Sequence, residues 1–118
     1  MYVDGFVLAV KTDRKEDYIK AARRAAEVFL ELGATRMVET WADDVPRGEI
    51  TDFPGAVKLE PDETVCFSWV EYPDRETRDR VAAEAMQDPR LKDAMDPTIL
   101  DDARMIYGGF NPIMDVRA

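Results

Sequence analysis

The chain has 118 residues, 46% of them hydrophobic, and its 25 acidic against 16 basic residues give a net charge of −9. That length fits one domain spanning residues 1–118, and the acidic balance argues against nucleic-acid binding, which draws much of its affinity from cations on phosphates. Histidine is absent, which excludes Ser–His and Cys–His nucleophile pairs and histidine-ligated haem or zinc. We therefore expect no cofactor and no metal site.

Two further features concern location and redox chemistry. No stretch approaches the roughly 20 consecutive apolar residues of a membrane span, and residues 1–5 lack the basic and apolar regions of a signal peptide. A cytoplasmic location without a membrane partner is therefore expected. Cys66 is the single cysteine and lies mid-way along an apolar run, which predicts a small buried hydrophobe and not a reactive thiol.

The first half of the chain carries strand, helix and strand signals in turn. Residues 2–10 are β-rich and mostly apolar, which predicts a strand. Asp13 begins a sequence that resembles a helical capping box. Apolar residues then recur at helical spacing over 15–32, where Gly33 supplies a stop signal. A second strand is predicted for 35–42.

The second half repeats the pattern after a long connection. Residues 46–63 are too many for a tight hairpin and are expected to hold a short helical turn near Pro54. Four more segments follow: a strand over 64–72, a helix over 75–87, a largely irregular stretch with a helical turn over 91–100, and a strand over 104–110. The order β-α-β-β-α-β predicts a ferredoxin-like α+β fold, a four-stranded antiparallel sheet with two helices on one face.

The other face of such a sheet is bare in a monomer. Side chains alternate across a strand, and we expect the small set to lie beneath the alanine-rich helices and the large set to form the uncovered face. The large set contains four aromatic residues, Phe6, Trp41, Phe67 and Trp69. Two such faces packed together would give a symmetric homodimer. The aromatic residues then either form only the dimer core or line a pocket for a small molecule.

Three carboxylates fall on the same predicted face: Asp4, Glu39 and Glu71. Glu39 stands within an apolar strand, so burial would raise its pKa and equip it as a general acid or base. The alternative for Glu39 is a buried ion pair with Arg104 or Arg36.

Three further features lie in the second loop and in the last strand. The acids of that loop, Asp43, Asp44 and Asp52, are better explained as solvated turn residues and helix caps than as metal ligands. Gly108 and Gly109 in the last strand allow a close approach of the backbone or a bulge. Tyr107 offers a phenol that could donate a hydrogen bond to a ligand.

Six sequence blocks are distinctive: Tyr-Val-Asp-Gly-Phe at 2–6, Val-Glu-Thr-Trp-Ala-Asp-Asp-Val-Pro at 38–46, Thr-Asp-Phe at 51–53, Phe-Ser-Trp-Val-Glu-Tyr-Pro at 67–73, Asp-Pro-Arg at 88–90 and Arg-Met-Ile-Tyr-Gly-Gly-Phe at 104–110. Taken together they resemble the YbaA-like family, small bacterial proteins classed as a domain of unknown function. The resemblance implies a dimeric α+β-barrel fold and supplies no catalytic residues. The wider group of such barrels includes cofactor-independent oxygenases, haem-handling proteins and isomerases.

Two functional hypotheses follow. The first is a small-molecule-binding protein, in the form of a cofactor-independent oxygenase or isomerase that acts on an apolar or aromatic metabolite. Its pocket would place Glu39 as acid or base, with Arg104 or Tyr107 orienting a polar group, against an aromatic lining of Phe6, Trp41, Phe67 and Trp69. The second is a non-enzymatic dimeric interaction or stress-related module, whose aromatic face is entirely interface.

Overall fold

A computed structural model describes residues Met1–Ala118. The strands are β1 (Tyr2–Lys11), β2 (Arg36–Glu39), β3 (Glu63–Tyr72) and β4 (Ile106–Phe110). The helices are α1 (Lys15–Leu32), α2 (Phe53–Ala56), α3 (Arg75–Ala85) and α4 (Pro89–Ala94), and single 3-10 turns occupy Thr12–Arg14 and Asp102–Arg104. None of the helices is both long and apolar enough to cross a membrane.

The four strands form one antiparallel sheet in the order β2-β3-β1-β4. β1 and β3 pair along their whole length, from Tyr2 opposite Tyr72 to Lys11 opposite Glu63. Side chains of α1 and α3 pack with side chains of β1 and β3 on one face of the sheet. The predicted ferredoxin-like α+β fold is confirmed.

The ends of the elements follow from local chemistry. Gly33 ends α1 with a φ of 135°, a backbone conformation that residues with a side chain rarely adopt. Asp74 begins α3 by accepting a hydrogen bond from the backbone N–H of Thr77 at 2.7 Å, and Asp52 caps α2 in the same way. The predicted stop at Gly33 is confirmed. The predicted capping role of Asp13 is wrong, because Asp13 lies in the 3-10 turn before α1 and the N-cap of α1, Arg14, makes no side-chain capping hydrogen bond.

The structure differs from the prediction in three regions: the end of β2, the start of β4 and the stretch after α3. β2 ends at Glu39, although the N–H groups of Thr40 and Ala42 still donate to β3. β4 begins at Ile106 and not at residue 104, because Arg104 closes a 3-10 turn. The stretch after α3 contains a regular helix, α4, where the side chain of Asp88 caps the first turn.

The cross-strand register corrects the predicted faces of β1 and β2. Leu8 of β1 stands directly opposite Cys66 of β3, and residues paired in this way share a face. Both contact Tyr18 of α1 in one buried cluster. The large side chains of β1 and β2, which include Phe6 and Glu39, therefore lie under the helices and not on the uncovered face.

The physical reason for this correction is volume. The inward side of α1 carries small residues, Ala21, Ala22 and Ala25, which cannot fill the space above a sheet of small side chains. Close packing requires large strand residues to meet small helix residues. The prediction for β3 is confirmed, because Cys66 and Val70 lie under the helices.

The other face of the sheet remains partly uncovered. At one end, Val57 follows α2 and packs on Ala9 and Val65. Beyond it, large apolar side chains are exposed to solvent: Phe67 at 45%, Ile106 at 47% and Phe110 at 62%. We call this surface, which also includes Trp69, Val3 and Val7, the aromatic face.

Cys66 is completely buried, as the sequence predicts. Burial raises the pKa of its thiol to about 12, so the sulfur stays protonated at neutral pH. A protonated, inaccessible thiol is a poor nucleophile and a poor ligand. Cys66 is a packing residue.

The most deeply buried ion pair joins β3 to the turn before β4. Arg104 donates from Nη1 to Glu63 Oε1 at 2.8 Å and from Nε to Asp101 Oδ2 at 3.0 Å, while the Glu63 side chain is only 2% exposed. The hydrogen bonds from Arg104 lower the pKa of Glu63 from 4.5 to about 2. The pair therefore stabilises the fold above pH 4.5, and this stabilisation is lost as the pH falls toward 2.

Replacing Arg104 with alanine is expected to lower the free energy of unfolding by about 3–5 kcal/mol, because it leaves the Glu63 carboxylate buried without a counter-ion. Urea unfolding at neutral pH measures this loss. Arg117→Ala is the control, since the Arg117 side chain is 85% exposed, and it should change stability by less than about 0.5 kcal/mol. Equal losses in the two variants would contradict the structural role of Arg104.

Candidate functional site

A cavity of about 210 Å³ lies between the helix side of the sheet and helices α1 and α4. We call it the sheet–helix cavity. Strands β1, β2 and β3 supply its floor, and 15 of its 17 lining residues are hydrophobic. An apolar cavity with a few convergent polar groups is the usual form of a small-molecule site.

Four methionines contribute to the lining: Met37, Met86, Met95 and Met105. Unbranched thioether side chains adapt their shape to what they contact. Met86 is 66% exposed and Met95 is 41% exposed, so they mark the side on which the cavity opens, near the end of α3 and α4. The wall at that side can adjust to ligands of different outline.

The polar groups of the cavity come together at Glu39. Tyr18 of α1 donates from its hydroxyl to Glu39 Oε2 at 2.6 Å. Ser68 of β3 stands opposite Glu39 in the strand register and is 3% exposed. The predicted partners Arg104 and Arg36 do not reach Glu39, and no cation forms a salt bridge with it.

The surroundings of Glu39 shift its proton affinity. Burial raises the pKa of Glu39 above its ordinary value, and hydrogen bonds from Tyr18 and Ser68 offset part of that rise. Burial, followed by the neighbouring Glu39 charge, raises the pKa of Tyr18, so its phenol remains a hydrogen-bond donor throughout the neutral range. A carboxylate of raised pKa beside a permanent donor is suited to acid–base chemistry.

A second cavity, of about 330 Å³, lies on the flank of α1 that faces β2. We call it the edge cavity. It shares Tyr18, Ala22, Met37 and Glu39 with the sheet–helix cavity and adds Arg23 at its rim. The Tyr18–Glu39 pair thus lies at the boundary of the two spaces.

Three of the aromatic residues singled out in the sequence lie on this side of the sheet. Phe6 lines the sheet–helix cavity, and the ring of Tyr107 stacks on it with centroids 6.1 Å apart. Trp41 packs against the buried cluster that contains Leu8, Tyr18 and Cys66. Lys15 Nζ lies 5.3 Å from the centre of the Trp41 ring. Trp41 and Tyr107 flank the cavity without lining it.

The other two aromatic residues lie across the sheet. The rings of Phe67 and Trp69 are 5.8 Å apart on the aromatic face. Their predicted place in one pocket with Glu39 is wrong, since the sheet separates them from it. On the same face, Glu71 accepts a hydrogen bond from Trp69 Nε1 at 2.9 Å and one from Arg36 at 3.4 Å.

The remaining candidates have structural partners. Arg104 directs its donors to Glu63 and Asp101, as described above, and lines neither cavity. Asp4 is 9% exposed and accepts a hydrogen bond from Arg78 at 2.9 Å. Gly109 lies opposite Asp4 and is in close contact with Arg78, which confirms the predicted close approach of the backbone.

Sequence reasoning missed Tyr18, which it treated as one of the apolar residues of α1. Tyrosine carries a polar tip that needs a partner when it is buried, and Tyr18 is 6% exposed. The available signal was a tyrosine on the inward side of a helix. Such a helix lies above the sheet, and the sheet was predicted to bury a carboxylate. The cavity itself could not be found without the register that places Glu39 under α1.

The profile of the family described as protein of unknown function (DUF1428) matches residues 1–102. This chain belongs to that family. It is 53% identical to the uncharacterized protein YbaA of Escherichia coli strain K12 over 114 residues, which cover 97% of each protein.

Two solved structures support the fold of this DUF1428 member. A dimeric ferredoxin-like protein from an uncultured marine organism aligns with a TM-score of 0.62 and 9% identity over 100% of both chains. SnoaB, a cofactor-independent oxygenase from Streptomyces nogalater, aligns with a TM-score of 0.56 and 11% identity over 99% of this chain and 98% of its own. At these identities the likeness is one of fold.

Glu39→Gln is expected to raise the melting temperature by a few degrees at pH 8 and to leave it unchanged at pH 4. Because the folded-state pKa of Glu39 is raised, the unfolded chain releases its proton first as the pH rises, and stability falls across that window. A neutral amide removes this loss. Thermal unfolding monitored by circular dichroism measures the effect.

Glu49→Gln provides the control, since Glu49 is exposed in the loop before α2 and its removal should not alter the pH dependence. A Glu39→Gln variant less stable than the wild type at pH 8 would show instead that the Glu39 charge stabilises the fold.

Proposed function

We propose that this protein binds a small apolar or aromatic carbonyl compound in the sheet–helix cavity and moves a proton at the carbon next to the carbonyl, without a cofactor. The observation that carries the proposal is the Tyr18–Glu39 pair, joined by a 2.6 Å hydrogen bond. The pair has no cation beside it and is set in the wall of an apolar cavity.

The first step is an exchange of hydrogen bonds. The hydroxyl of Tyr18 has one proton and donates it to Glu39 in the structure. A carbonyl oxygen in the cavity would compete for that proton. When Tyr18 donates to the ligand, Glu39 loses a hydrogen bond that stabilises its charge, so it becomes a stronger base.

The second step is proton transfer. Glu39 removes a proton from the carbon beside the carbonyl, and the electron pair of that C–H bond moves onto the carbonyl oxygen. Tyr18 stabilises the resulting enolate by its hydrogen bond, in the manner of an oxyanion hole. Return of the proton from Glu39 to a different atom of the ligand completes an isomerisation with no net change in composition.

An oxygenase reaction is the alternative that uses the same first steps. The carbanion would add to dioxygen instead of regaining its proton, and the resulting peroxide anion would take the proton held by Glu39, so dioxygen would be the second substrate. The fold likeness to SnoaB, whose name describes a cofactor-independent oxygenase, makes oxygen consumption the measurement that separates the two reactions.

A β,γ-unsaturated cyclohexenone is a suitable test substrate, because its conversion to the conjugated isomer is followed directly by ultraviolet absorbance. Glu39→Gln should reduce the rate by at least about 100-fold, the usual contribution of a general base. Tyr18→Phe keeps the buried ring and should reduce the rate less. Glu49→Gln should match the wild type.

Equal rates in Glu39→Gln and wild type would overturn the role of Glu39. If the wild-type protein neither converts nor binds the cyclohexenone, and thermal unfolding shows no stabilisation by it, the proposed function fails.

We also propose that the aromatic face joins two copies of the chain. Its exposed Phe67, Ile106 and Phe110 lie on one sheet face, and exposed apolar patches mark interaction sites. The likeness to a dimeric ferredoxin-like protein supports the same arrangement. Because the sheet–helix cavity lies on the opposite side of the sheet, association through this face leaves the cavity free.

Phe67→Asp is expected to convert the dimer to a monomer, since it places a charge at the centre of an apolar interface. Light scattering coupled to size-exclusion chromatography measures the mass. Leu30→Asp is the matched control, because Leu30 is 47% exposed on α1, away from the aromatic face. A monomeric wild type, or a Phe67→Asp variant that remains dimeric, would contradict the proposed interface.

A further inference from the structure

We propose that Arg23 binds the carboxylate of the substrate in the edge cavity, so that the substrate is a 2-oxo acid with an apolar or aromatic side chain. This inference rests on the proposed function and adds the chemical class of the compound. It comes from the edge cavity, which the proposed function does not use. The apolar part of the substrate would occupy the sheet–helix cavity, its carbonyl would meet Tyr18, and its carboxylate would face Arg23.

The geometry of α1 explains how Arg23 comes to line the edge cavity. Ile19, Arg23 and Ala26 recur on one flank of α1 at spacings of three and four residues, which brings them onto the same face. The opposite wall is β2, through Met37 and Glu39. Arg23 is exposed, so its guanidinium reaches the rim, while the Tyr18–Glu39 pair forms the inner boundary.

The charge of Arg23 has no partner within the protein. Nine of the arginines form salt bridges with carboxylates, and only Arg23 and Arg24 do not. Arg24 faces a different groove, lined by Glu27, Arg90 and Asp93. Arg23 is therefore the free guanidinium of the edge cavity.

Arg23 and Glu39 line the same cavity without pairing. No salt bridge joins them, and Arg23 is not among the causes of the pKa shift of Glu39. The carboxylate of the substrate would occupy the part of the edge cavity that Arg23 lines. A guanidinium offers a planar fork of donors that matches a carboxylate, and no other unpaired cation lines either cavity.

A 2-oxo acid fits this arrangement because its carbonyl and carboxylate are bonded to each other and Tyr18 and Arg23 line one cavity. Tyr18 belongs to both cavities, so a carbonyl at its hydroxyl can carry a carboxylate outward and an apolar group inward. The proton moved by Glu39 is then the one on the carbon between the carbonyl and the apolar group. Its transfer to the carbonyl oxygen converts the keto form to the enol, with all atoms conserved.

Phenylpyruvate and its methyl ester are the matched probes, because the ester lacks the charge that Arg23 would bind and otherwise differs only by one methyl group. Isothermal titration calorimetry measures both with wild type, Arg23→Gln and Arg24→Gln. The wild type should bind the acid at least about 10-fold more tightly than the ester, as expected for a charge-assisted hydrogen bond. Arg23→Gln should remove that preference and leave the ester affinity within about twofold. Arg24→Gln should behave as the wild type.

Failure of the carboxylate assignment to Arg23 can be distinguished from failure of the proposed function. If the ester binds as tightly as the acid, or Arg23→Gln keeps the preference, the carboxylate assignment is overturned, whereas conversion of the neutral cyclohexenone still supports the cavity and Glu39. If neither phenylpyruvate nor its ester binds, this inference is overturned. If the cyclohexenone is also left unconverted and unbound, the proposed function fails with it. Thermal unfolding of each variant verifies that it is folded.

Discussion

The packing of small residues of α1 on large residues of the sheet determines the rest of this structure. Ala21, Ala22 and Ala25 line the sheet–helix cavity and have small side chains, so the side chains beneath them must be large if the interior is to be filled. Phe6 and Leu8 meet this need only in part, and the volume that they leave is the sheet–helix cavity. The same packing directs Glu39 inward, under a helix instead of toward solvent or a partner chain.

This constraint also explains what could and could not be predicted from the sequence. The order of elements followed from the hydrophobic period, and Gly33 marked the end of α1. The faces of β1 and β2 were mistaken because alternation divides a strand into two sets without saying which set faces inward. That choice depends on the register, in which Leu8 stands opposite Cys66, and the register is a property of two strands together.

The hydrogen-bond partners of the carboxylates also could not be predicted from the sequence. Asp4 and Glu39 share the helix side of the sheet, yet Asp4 meets Arg78 at 2.9 Å and Glu39 meets only hydroxyl groups. Alternation could indicate that each carboxylate was buried, but not which cation lay within reach. The partner of Glu39, Tyr18, is 21 residues distant in the chain and approaches from α1, so that its contact depends on the helix crossing the sheet at that point.

The two sides of the sheet differ in the partners of their carboxylates. On the aromatic face, Glu71 is bound by Arg36 and by Trp69, which neutralises the charge and leaves a surface suited to association. On the helix side, Glu39 has no such cation, and its burial disfavours the charged form. A fold that only needed stability would be served at least as well by an apolar residue there. This unpaired carboxylate beside a cavity is the observation from which we propose a ligand that uses it.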